Sequence, residues 1–63
     1  MKQYVILLTD STITVLLSSI GINEAGCLLL WNTNDVVASI SPGNWIAFCE
    51  ASSSNCQVIL DAF

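Results

Sequence analysis

The residues able to do chemistry are few. The ionisable side chains comprise five carboxylates (Asp10, Glu24, Asp35, Glu50 and Asp61), three cysteines (Cys27, Cys49 and Cys56), Tyr4 and Lys2, with no arginine and no histidine. A cysteine or serine nucleophile needs a base beside it. Here the base would have to be Lys2, close to a chain end, or a carboxylate. Asp35 and Glu50 are the pair of carboxylates that a hairpin would bring together, and their place on two loops suits a solvated rim as well as acid–base work. A zinc site would need a fourth ligand from a carboxylate, because three cysteines without a CxxC pair and without histidine fall short of four. Gly21, Gly26 and Gly43 have neither GxxxxGK nor GxGxxG context, so they read as turn or bulge residues and not as a phosphate cradle. The sequence therefore assigns no catalytic residue, no metal ligand and no cofactor, and the expectation is a protein that is not an enzyme.

Cys49 and Cys56 flank the segment Glu50–Asn55 and would be neighbours across two strands, so a disulfide between them is geometrically conceivable. The favoured reading is different. The count of three is odd, no secretory pattern is visible, and a buried free cysteine behaves as a small hydrophobe. Inert thiols in a reducing cytoplasm, or in a virion-associated protein, are expected.

Composition narrows the class further. The formal charge is −4, charged residues make up 10% of 63 residues, and hydrophobic residues reach 54%. Ordinary domains carry roughly 25% charged residues. The chain is too apolar for a disordered acidic tail. One lysine cannot neutralise a run of phosphates, which argues against nucleic acid as a partner. Five scattered carboxylates are likewise too sparse to imitate one. A membrane-spanning helix needs about 20 predominantly apolar residues, and Asp10, Glu24, Asp35 and Glu50 interrupt the chain too often. A signal peptide would rest on Lys2 alone, with Asp10 inside its apolar stretch. Residues 1–63 are expected to form a single small β domain.

The elements that must position these groups are marked by turn signals. Asp10-Ser11, Gly21 to Gly26, Asn32–Asp35, Ser41–Asn44 and Ser52–Asn55 separate runs of five to nine residues rich in Val, Ile, Leu, Thr and aromatics. That rhythm predicts an all-β fold: five or six short antiparallel strands in hairpin order, closing as a small barrel or two-layer sandwich. Glu24–Trp31 is open to a short helix as well as a strand, although Gly26 would weaken the helix. A two-residue loop at Asp10-Ser11 pairs Leu8 with Ile13, Ile6 with Val15 and Tyr4 with Leu17. Pro42 and Gly43 occupy the second and third positions of a type II turn, which would pair Ile40 with Trp45, Ala38 with Ala47 and Val36 with Cys49. Cys56–Asp61 would return as a further strand beside Trp45–Cys49.

In that arrangement one face carries Cys27, Leu29, Trp31, Val36, Ala38, Ile40, Trp45, Ala47, Cys49, Cys56, Val58 and Leu60. The reverse face carries Leu28, Leu30, Val37, Ile46, Phe48 and Ile59, with Ser39, Gln57 and Asp61 among them. An antiparallel sheet with one wet face should alternate, and this one hardly does. Both faces need cover: the N-terminal hairpin can cover one of them, and something outside the chain must cover much of the other. Trp31, Trp45, Leu29, Ala38, Ile40 and Val58 are thus the candidate interface residues, although core is the slightly favoured reading for each tryptophan.

Two functions follow as expectations. The first is a non-catalytic structural or assembly protein that forms a homo-oligomer through an apolar sheet face; its economy of size suits a viral or phage accessory component. The second is a small binding module or inhibitor that docks on a host protein through an exposed apolar surface anchored by tryptophan.

Overall fold

A computed structural model describes residues 1–62, except for the side chain of Ile59, so the expectation for Ile59 lies outside the described residues. Six strands and one helix follow one another: β1 (Lys2–Leu8), β2 (Thr12–Leu17), β3 (Ser19–Ile22), β4 (Leu28–Asn32), β5 (Asp35–Ile40), β6 (Trp45–Glu50) and α1 (Cys56–Asp61). The fold is all-β in its sheets, which are antiparallel and three-stranded, in the orders β2-β1-β6 and β3-β4-β5. They do not close into a barrel.

The first hairpin keeps its expected faces but slips in register. Ile6 lies opposite Ile13 and Tyr4 opposite Val15, two residues away from the pairing that an Asp10-Ser11 loop would give. The loop is again two residues long but lies one position earlier, at Thr9-Asp10, and the Leu8 N–H donates to the Ser11 carbonyl at 2.8 Å. A slip of two residues preserves the inward set, because strand side chains alternate with period two.

Between β2 and β3 the chain leaves one sheet and enters the other, and Ser18 holds the bend. Its N–H and its hydroxyl both donate to the Trp31 carbonyl at 3.0 Å, and its Oγ accepts from the Thr33 N–H at 2.8 Å. Asn23 closes the loop that follows. Its Oδ1 accepts from the N–H groups of Ala25 and Cys27, at 3.0 and 2.9 Å. Gly26 takes a φ of +87° there, a conformation that glycine adopts without a Cβ penalty. Residues 24–27 therefore form a loop and no helix, and strand β4 begins at Leu28.

Strands β4 and β5 join through Thr33-Asn34, with Thr33 at φ +62°. Their register shifts between Leu30 and Trp31: Leu30 faces Ala38, whereas Trp31 faces Val36, leaving Val37 as the extra residue of a bulge. Such an insertion bends the strand and re-aims the side chains beyond it.

The turn at Ser41–Asn44 forms as expected. The Asn44 N–H donates to the Ser41 carbonyl at 3.1 Å, and Gly43 has φ +90°. The hairpin expected around it does not form. The turn carries the chain between sheets, and β6 returns to pair with β1, with Leu8 opposite Trp45 and Ile6 opposite Phe48. This places Ile6 at 0% exposure between two strands. A simple meander is corrected accordingly. The expected strand at Cys56–Asp61 is also corrected, to helix α1. An apolar run without alternation is ambiguous between strand and helix, and Cys56 and Leu60, four apart, share one helical face.

The core lies between the sheets. Tyr4, Ile6 and Leu17 come from one, Leu28 and Leu30 from the other, with Ile13, Val15, Ile20, Ile40, Trp45 and Phe48 packed around them.

Candidate interaction surface

The two tryptophans have opposite fates. Trp45 packs against the core, its indole N–H donates to the Gly26 carbonyl at 3.1 Å, and its ring lies 6.3 Å from that of Phe48 at a tilt of 56°. Trp31 points the other way. Leu28 and Leu30 fill the core face of β4, so Leu29 and Trp31, both half-buried, lie on its outer face by simple alternation. Across the sheet Trp31 stands in a row between Ser19 and Val36, and Leu29 between Gly21 and Ser39. A Cβ at Gly21 would come within 3.7 Å of the Trp31 Nε1. The indole edge therefore lies beside the glycine, at ordinary van der Waals distance from where a Cβ would sit.

None of these six residues is ionisable. The patch continues onto β5, an edge strand in which only Ile40 is shielded; Val36 and Val37 are 46% and 56% exposed. Edge strands are commonly blunted by Lys, Pro or a bulge. Strand β5 has the bulge, but its single charge is Asp35 at one end.

The structure thus divides the six candidate interface residues. Trp31 and Leu29 share the outer face of the second sheet, Ala38 is exposed on the neighbouring edge strand, and Val58 is exposed on α1. Trp45 and Ile40 turn to the core. Placing all six on one face is corrected. The bulge at Val37 and the inward turn of Leu28 change the parity on which that grouping relied.

On the other sheet, Cys49 lies opposite Val5, and Ala47 opposite Leu7, on the face turned away from the core. Cys49 and Cys56 are joined in a disulfide with Cα atoms 5.6 Å apart, while Cys27 is free and half-buried. The expectation of three inert thiols is corrected. An internal disulfide does not fit well with reducing conditions.

Asp35 pairs with Asn32 and Glu50 with Tyr4, so the strand pairing does not set the two carboxylates opposite one another. Among the described residues no pocket opens and no three metal-ligating side chains gather. Nor is any helix among them long and apolar enough to cross a membrane. Asn32 Oδ1 is a buried side-chain oxygen without a hydrogen-bond partner, at the end of β4. Ser18, which ties the Trp31 carbonyl to the Thr33 N–H, escaped sequence reasoning.

No protein-family model matches the sequence, and no curated protein or solved structure was found to be similar to it.

Proposed function

We propose that this chain is a non-catalytic assembly protein that forms a homo-oligomer through the outer face of the β3-β4-β5 sheet. The observation that carries the reading is Trp31, set beside Gly21 on the solvent side of the sheet in an uncharged row with Ser19 and Val36. Tryptophan combines large contact area with few rotatable bonds, and it is enriched among residues that dominate interface energetics. A face with no charge carries no like-charge penalty when copies of an acidic chain approach.

The two sheets, sharing one core, act in this reading as a small two-layer sandwich with one side left for a partner. The disulfide favours an oxidising setting, such as a particle surface or an extracytoplasmic space. A viral or phage accessory component fits the economy of size.

The free edge of β5 favours a second reading, a module that captures a strand of a different protein by β-augmentation. Light scattering on the purified protein over a wide concentration range separates the two. A stable multiple of 6.8 kDa supports self-assembly. A monomer that binds apolar dye supports the second reading, and a monomer that does not contradicts both.

A further inference from the structure

We propose that the Cys49–Cys56 disulfide is a redox-operated latch for α1: reduction frees the helix from the outer face of the β2-β1-β6 sheet and leaves both sheets folded. This inference is independent of the self-assembly reading.

The helix has little else to hold it. It is six residues long, whereas isolated helices shorter than about 12 to 15 residues are marginal in water. Its first turn has no acidic residue and its last turn no basic one, so charge does not support its dipole. Among its described side chains only Cys56 and Leu60 are shielded; Gln57, Val58 and Asp61 are exposed, Val58 at 69%. The polar support is local: the Cys56 N–H donates to the Ser53 carbonyl at 3.2 Å, and Gln57 Nε2 donates to Asp61 Oδ1 at 2.7 Å. Its packing is chiefly against β6, at the strand that carries Cys49.

The sheets, by contrast, do not depend on the bond. The buried cluster of Tyr4, Ile6, Leu17, Leu28 and Leu30 lies between the sheets, and Cys49, opposite Val5, faces the other way. The disulfide spans a separation of only seven residues, so it constrains the rest of the unfolded chain little.

The chemistry is thiol–disulfide exchange with a dithiol as reductant. A dithiol thiolate attacks one cystine sulfur, the S–S bond breaks, and the other cysteine leaves as a thiolate that takes up a proton. The second dithiol sulfur then displaces the first cysteine from the mixed disulfide. The dithiol is oxidised by two electrons to its cyclic disulfide, and Cys49 and Cys56 end as thiols.

The test is an NMR comparison of the full chain before and after dithiothreitol, with thiol titration of both samples. The untreated protein should show one reactive thiol after denaturation, and the reduced protein three. Cα chemical shifts over residues 56–61 should move from helical towards coil values, a loss of at least about fivefold in helical population. Shifts in β1 and β4 should stay in place. Three thiols in the untreated chain would overturn the proposal, as would helical shifts that survive reduction. Collapse of the sheet signals on reduction would also overturn it, by making the bond a staple for the whole domain.

Discussion

The indole N–H of Trp45 reaches across the molecule to the carbonyl oxygen of Gly26 at 3.1 Å, tying the first residue of β6 to the loop between β3 and β4. The bond links the two sheets near the turn that carries the chain between them. A buried carbonyl left without a donor costs about 1–3 kcal/mol. Because this site is only partly buried, Trp45→Phe should lower stability by about 1–2 kcal/mol, as read by urea denaturation. An unchanged midpoint would mean that water replaces the indole without loss.

Leu28 and Leu29 are neighbours with different duties. Leu28 is at 0% exposure, and Leu29 lies on the outer face. Leu28→Ala should cost about 2–5 kcal/mol, enough to unfold much of so small a domain at room temperature. Leu29→Ala should cost less than half as much in the dissociated chain. Circular dichroism melting of both variants checks the order, and the reverse order would place the core on the other face of β4.

That pair shows why the sequence revealed the strands but not their sides. Leu28-Leu29-Leu30-Trp31 has no alternation, so hydrophobicity alone cannot say which pair turns inward. Where alternation existed, as in Thr12-Ile13-Thr14-Val15, the inward face was legible even though the register slipped by two. The Pro42-Gly43 turn was legible because it is made by local backbone preference. The destination of β6 was not, because pairing with β1 is a long-range choice made by the core around Ile6. Cys56–Asp61 could be read with either period. The separation of Trp31 from Trp45 was not legible, since it depends on the bulge at Val37 and on the pairing of β6 with β1.

Thr33 holds a φ of +62°, uncommon for a β-branched residue. The conformation is sustained by the short turn and by the Thr33 N–H donating to Ser18 Oγ at 2.8 Å. Asparagine tolerates this region and keeps the N–H. Thr33→Asn should raise stability by about 0.5–1 kcal/mol, measured as an upward shift in melting temperature. A decrease would show that the threonine side chain contributes more than its backbone costs.

Gly43 offers a cleaner backbone test. A Cβ there meets no atom within 4 Å, yet φ is +90°. Steric crowding is absent, so any cost comes from the dihedral alone. Gly43→Val should destabilise by about 1–2 kcal/mol or more, and Gly43→Asn by less. Equal stability of all three proteins would contradict the turn geometry.

Self-assembly through the Trp31 face is tested most directly by sedimentation equilibrium of the parent beside Trp31→Lys, at matched concentrations. Lysine places a charge that must stay hydrated in the uncharged face, so an interface built on that face should not tolerate it. The parent should sediment as a stable multiple of 6.8 kDa and the variant, still folded by circular dichroism, as a monomer. A parent that stays at 6.8 kDa throughout, or a variant that keeps the parent's mass, would contradict the account.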